Sequence, residues 1–237
     1  MLELFITGVE QNKNKIFVTA GIAATMQSLG YSCGVYKPVE TGVKSKKGKF
    51  ASKDLSYIKF LDPFINTYFS YQLDKNISPI LSAAQEGLVM EKSVIFADYQ
   101  KIQEKDECLI VDGLSGLTTP LSKDFLEEDI VKILDIPVLF VVSGKNSDIN
   151  NTLLSVNRAN ELGIKINGVI INDYPYESEN SEIKMMPKLI EEYTNQKILG
   201  ILPKINKNIN PEDLITVILN GIDLESVFRI KIPKLNK

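Results

Sequence analysis

The stretch Gly8-Val9-Glu10-Gln11-Asn12-Lys13-Asn14-Lys15-Ile16 has the residue types to bind phosphate. It follows the apolar run Leu4-Phe5-Ile6 and precedes Phe17, Ile22, Met26 and Leu29, which recur at helical spacing. A strand, a glycine-started loop ending in Lys and a helix together make an anion cradle. The loop N–H groups and the helix N-terminus face the anion, and the Lys reaches the outer phosphates. Such loops end in Gly-Lys-Ser/Thr; this one ends in Asn14-Lys15-Ile16. If the position before the Lys needs positive φ, Asn is the best residue after Gly. Ile16 has no oxygen to offer a magnesium ion.

Further residues with chemistry follow the later apolar runs. Lys37, in Lys37-Pro38-Val39-Glu40-Thr41-Gly42, stands at a strand end, where burying an ammonium is costly unless it meets anions. It reads as a second cation for phosphate or carboxylate, or as part of a solvated loop. Asp54 is an N-cap or a magnesium ligand. Asp112, followed by Gly113 and Gly116, ends a buried strand where phosphate-loop enzymes hold magnesium, unless the segment is only a tight turn. In Gly144–Leu154, Ser147, Asp148 or Asn150 could cap a helix whose N–H groups bind a substrate carboxylate. Asn172 could read a purine edge or form a turn with Asp173, and Leu202-Pro203 could wall a base pocket. Histidine is absent, which excludes His triads, His-ligated metals and imidazole acid–base chemistry. Cys33 and Cys108 sit in apolar runs and read as small buried hydrophobes.

Strands are expected at Leu4–Thr7, Ser32–Tyr36, Cys108–Val111, Val138–Val142, Gly168–Ile171 and Ile198–Ile201. Helical patterns fall between them, at Phe17–Leu29, Leu55–Leu61, Ser93–Lys101, Phe125–Leu134, Asn150–Leu162, Ser181–Tyr193 and Pro211–Leu219. This alternation implies a doubly wound, mostly parallel α/β sheet with helices on both faces and one domain over residues 1–237. Right-handed crossovers then bring the loops named above to one carboxyl edge. The net charge of −3 argues against a polyanion surface, so no nucleic acid is expected. No apolar run is long enough to span a bilayer, and the start does not read as a signal peptide, so a cytoplasmic chain is expected. Lys44–Lys49 reads as a basic loop or lid, and Arg229–Lys237 as a surface or edge extension.

The order of these motifs resembles the dethiobiotin synthetase family. The match runs from the phosphate loop through Lys37-Pro38-Val39-Glu40-Thr41-Gly42, Asp54, Ser78-Pro79, Val111-Asp112-Gly113, Ile149-Asn150-Asn151-Thr152, Ile170-Ile171-Asn172-Asp173 and Leu199-Gly200-Ile201-Leu202-Pro203, essentially the whole chain. The resemblance implies a P-loop NTPase-like fold and an ATP- and Mg²⁺-dependent ligase of biotin biosynthesis. Such an enzyme joins CO₂ to 7,8-diaminononanoate as a carbamate, phosphorylates it from ATP and closes the ureido ring. It further implies that Lys15 and Lys37 are catalytic cations and that Asp54 and Asp112 hold the metal. Gly8, Glu10, Gln11, Asn12, Lys13, Asn14, Lys15, Ile16, Asn172 and Pro203 would bind nucleotide. Thr41, Gly113 and Asn150 would bind substrate, in a homodimer. The family's loop reads Gly-Thr-Asp-Thr-x-x-Gly-Lys-Thr, and a Glu stands where this chain has Asp112. The departures at Asn14, Ile16 and Asp112 leave a second reading, a catalytically impaired or repurposed homologue that acts as a nucleotide-binding or structural dimer.

Overall fold

The computed structural model describes residues 1–10, 14–46, 49–145 and 149–232. The strands are β1 (Leu2–Gly8), β2 (Cys33–Thr41), β3 (Lys44–Lys46), β4 (Lys49–Ala51), β5 (Asn66–Leu73), β6 (Cys108–Asp112), β7 (Pro120–Ser122), β8 (Phe125–Leu126), β9 (Val138–Ser143), β10 (Ile166–Asn172) and β11 (Ile198–Ile201). The helices are α1 (Lys15–Ser28), α2 (Lys53–Leu61), α3 (Pro79–Gln85), α4 (Lys92–Ile102), α5 (Glu127–Leu134), α6 (Ile149–Glu161), α7 (Ser181–Thr194), α8 (Pro211–Gly221) and α9 (Leu224–Phe228).

Seven strands form one parallel sheet in the order β11-β10-β9-β1-β6-β2-β5. The apolar runs are continuous because both faces are covered. Leu4 and Ile6 of β1 pack into a core with α1, α2 and α8, while Phe5 between them packs into the opposite core with α4, α5 and α7. The strand order reverses around β1, so the loop after β1 opens at the crevice where ligands of such sheets bind. No helix among the described residues is long and apolar enough to cross a membrane.

The structure differs from the sequence expectations in several places. β2 runs on to Thr41, so Lys37 lies within the strand and not at its end, and α3 and α9 are additional helices. β5 extends the sheet by an edge strand; its Asn-Thr-Tyr-Phe-Ser-Tyr-Gln-Leu run is mostly polar and aromatic because one side has no neighbour. The basic segment Lys44–Lys49 is part of the β3–β4 hairpin, with Lys47 and Gly48 outside the described residues. Phe125 and Leu126 belong to the β7–β8 hairpin, and α5 starts only at Glu127. α2 is capped by Ser52, whose hydroxyl accepts from the Leu55 N–H at 2.9 Å, so Asp54 is not the cap.

Candidate functional site

The carboxyl ends of β1, β2 and β6 converge on a cleft of about 610 Å³. Lys15, Ile16, Lys37, Glu40, Thr41, Asp54, Asp112 and Gly113 line it. Gly42 closes the β2 turn with φ +75, a conformation that favours glycine. Gly113 is fixed by crowding: a Cβ there would stand 2.6 Å from both Phe5 and the Glu127 carboxylate.

Asp112 is the hub. Lys15 Nζ donates to its Oδ1 and to the Gly113 carbonyl at 2.8 Å. Thr19, one turn along α1, donates to the same Oδ1 at 2.7 Å. Lys37 Nζ bridges Asp112 Oδ2 at 2.9 Å and Asp54 Oδ2 at 2.7 Å. Burial alone would raise the Asp112 carboxyl, but Lys15 and Lys37 hold it well below the usual carboxylate range. Burial would likewise lower the Lys37 ammonium; Asp112, Asp54 and Glu40 outweigh it and hold the amine above its ordinary value. Lys37 is therefore a cation, and both lysine side chains rest on carboxylates in a cleft.

Among the described residues no three or more acids or cysteines converge as a cage for a metal. Asp54 and Asp112 are two hard oxygen donors at one cleft, which suits Mg²⁺ because that ion takes one or two carboxylates and completes its shell with phosphates and water. Ile16 lines the same cleft with carbon only.

Two acids that the sequence reading did not single out also belong here. Glu40 is 5% exposed; Ser52 donates to its Oε1, and its Oε2 is enclosed without a hydrogen-bond partner among the described residues. An enclosed acceptor left unpaired costs about 1–3 kcal/mol. Burial raises its carboxyl above the ordinary range, against the pull of Lys37 and Ser52. Glu127 is wholly buried. It accepts from the Thr7 hydroxyl, just before the phosphate loop, and from the Leu114 N–H at 2.7 Å, just after the Asp112 turn. Burial pushes its carboxyl up to about 7.

The rest of the phosphate loop is partly defined. Gly8 packs against the Ser115 carbonyl, where a Cβ would stand at 3.2 Å. Glu10 is partly buried, and Gln11, Asn12 and Lys13 lie outside the described residues. Asn14 has φ −98, so the position before Lys15 needs no left-handed residue and the glycine argument does not apply. Its side chain donates to Asp173. Asn172 is fully buried: its Nδ2 donates to the Asn14 carbonyl at 2.9 Å and its Oδ1 accepts from the Asp173 N–H at 2.9 Å. Asn172 thereby ties the end of the phosphate loop to the end of β10. Pro203 and Asn150 are exposed and line no part of this cleft, and Ser147 and Asp148 lie outside the described residues.

The model of the AAA domain family matches residues 3–212. An ATP-dependent dethiobiotin synthetase of Bacillus subtilis is 29% identical, covering 94% of this chain and 96% of the relative. One from Anoxybacillus flavithermus is 30% identical over 86% and 92% of the two chains. Among solved structures, the septum site-determining protein MinD of Pyrococcus horikoshii, complexed with Mg-ADP, superposes with a TM-score of 0.57 over 99% of this chain and 94% of its own, at 15% identity. That last likeness carries the fold alone.

Proposed function

This chain belongs to the dethiobiotin synthetase family of AAA-domain proteins, and from that premise we propose that it carries out ATP- and Mg²⁺-dependent carboxylation and ring closure of 7,8-diaminononanoate to dethiobiotin. The observation that carries this reading is the convergence of Lys15 and Lys37 on Asp112 inside one cleft. The chemistry places negative charge on a carbamate, on a transferring phosphoryl group and on departing phosphate. Two fixed cations stabilise such charge without a histidine, by position and electrostatics. While no anion is bound, Asp112 and Asp54 hold those ammonium groups in place and offset their burial.

Magnesium, when bound, would neutralise phosphate charge, with Asp54 and Asp112 as its protein ligands. Lys15 and Lys37 then turn from Asp112 to the phosphate and carbamate oxygens. Thr41 and Gly113, which line the cleft, face the substrate's reacting end. Asn150 lies on the exposed first turn of α6, away from the cleft, so its contact with the substrate tail belongs to a homodimer. A cytoplasmic location is part of the same proposal. The test is direct: purified protein with ATP, Mg²⁺, bicarbonate and diaminononanoate should release phosphate and form dethiobiotin. Phosphate release no higher than without the diamine would refute the assignment.

Ile16 supports a second reading, a homologue with impaired catalysis that keeps nucleotide binding or a structural dimer. Calorimetry with ATP separates the two: magnesium-dependent micromolar binding is expected of the enzyme. Ile16→Thr sharpens the comparison. It removes a partly buried side chain packed against the α1 core and adds a hydroxyl at the cleft. If the missing oxygen limits the site, turnover should rise on the order of 10²-fold, the usual scale for one transition-state ligand. Equal turnover in both proteins would show that this position is not limiting.

A further inference from the structure

Glu40 is the cleft acid that the reading above leaves unassigned. Each other acid around it is differently placed. Both oxygens of Asp112 are taken by Lys15, Thr19 and Lys37. Asp54 is bonded to Lys37, and its side chain is 39% exposed. Asp74, across the mouth, is exposed. Of the acids that line this cleft, only Glu40 combines deep burial with an oxygen, Oε2, that has no partner among the described residues; Asp173, which shares that trait, lies outside it. Its other oxygen is anchored by Ser52, the residue that caps α2, so the carboxylate is held in one orientation.

A carboxylate so placed repels phosphate and carbamate, which Lys15 and Lys37 attract. It needs an N–H or O–H donor, and the most favourable one is cationic or becomes so. A ligand that meets both demands carries an anionic group toward the lysines and an amine toward Glu40. In the reaction proposed above, that is the substrate after its first amine has become a carbamate.

We propose that Glu40 recognises the second amine of the substrate, the one that closes the ring, and accepts its proton. The step balances. The amine nitrogen bonds to the carbonyl carbon of the carbamoyl phosphate. The carbon–oxygen bond to phosphate breaks, and phosphate leaves with the electron pair. The proton shed by the nitrogen passes to Glu40 Oε2, which is enclosed in this structure and which the arriving amine must uncover. The burial that raises the Glu40 carboxyl makes it the stronger base for this transfer.

The inference rests on the proposed reaction, so the experiment separates the two. Glu40→Gln keeps the shape and an acceptor for Ser52 but puts an amide N–H₂ where the free oxygen stood. The KM for diaminononanoate should rise on the order of 10-fold or more and kcat should fall by a similar factor, the scale of a lost charged hydrogen bond. Mg-ATP affinity and the thermal midpoint should stay as in the parent. A Gln variant with diamine KM and kcat within twofold of an active parent overturns the role of Glu40 and leaves the reaction standing. A shifted midpoint with unchanged diamine KM makes Glu40 a support for Ser52 and also overturns it. A parent protein that binds Mg-ATP but neither binds nor converts the diamine sinks the reaction, and the role of Glu40 with it. Should the Gln variant fail to fold, Glu40→Ala read by the same ratio of diamine KM to ATP affinity decides the matter.

Discussion

Replacing Lys37 with Met should cut turnover by about 10³-fold and lower stability by about 3 kcal/mol. Both effects have one origin. Lys37 is 5% exposed and bridges Asp54 at 2.7 Å and Asp112 at 2.9 Å. Asp112 is 1% exposed and cannot recover water when an ammonium is removed. Breaking a buried pair from one side commonly costs about 3–5 kcal/mol. The low end applies here because Lys15 still contacts Asp112 and because Asp54 is partly solvated. For turnover, the lost charge is one that the proposed reaction would use to stabilise the transferring phosphoryl group, and a single such donor is worth on the order of 10²–10³; the loosened Asp112 adds to that. Lys37→Arg should restore part of the stability and little of the rate, since a planar guanidinium does not fit the point between two carboxylates. Thermal unfolding and phosphate release on the same preparations check this. A Met variant keeping a tenth of the parent turnover would remove Lys37 from the reaction.

Lys37 and Asp112 could be found from the sequence because each stands at the end of an apolar run or just beyond it, whereas Thr19, buried within α1, has no such local mark. Parallel strands buried on both faces leave no alternative reading for Leu4–Ile6 or Cys108–Val111, and one carboxyl edge follows from right-handed crossovers. β5 escaped because an edge strand lacks that pressure: Phe69 stays half exposed, and polar residues share the run. The conformation and contacts of Asn14 are not legible locally. Its φ is set by where α1 begins, and its role comes from Asp173 and Asn172, about 160 residues away in sequence. Glu40 sits in a Lys-Pro-Val-Glu-Thr-Gly run that reads equally well as a solvated turn. Only its contact with Ser52 and its 5% exposure show an acid enclosed. Glu127 opens an acidic triplet at a helix start, where first-turn carboxylates are ordinary. Nothing local distinguishes it from Glu128 and Asp129. Its distinguishing contact is with Thr7, 120 positions earlier.

That contact leads to the second large effect, a stability that falls as pH rises. Glu127 and Asp112 are both buried acids, yet they act with opposite sign. Asp112 is held low by Lys15 and Lys37, so its contribution is present above pH 3.8, its ordinary value, and disappears only in acid. Glu127 is held high, from 4.5 to about 7, by burial. Between those values the unfolded chain has shed this proton while the folded chain keeps it. The folded state binds more protons, so stability declines from pH 4.5 to pH 7 and levels off above, by at most about 3 kcal/mol at 1.36 kcal/mol per pH unit. Glu127→Gln has no such proton to lose. Its amide oxygen can accept from Leu114 N–H and its nitrogen can donate to the Thr7 hydroxyl. The Thr7 proton can turn toward the Gly8 carbonyl, now 3.5 Å away. Chemical denaturation of both proteins across pH 4 to 9 should therefore give equal stability at the acid end and a Gln variant up to about 3 kcal/mol more stable at pH 8. Taking the difference between the two proteins cancels the other titrating groups. A difference that does not change with pH would mean that Glu127 is ionised throughout. The bond to Leu114 would then be a charged clamp on the Asp112 turn, and the variant would instead be less stable at every pH.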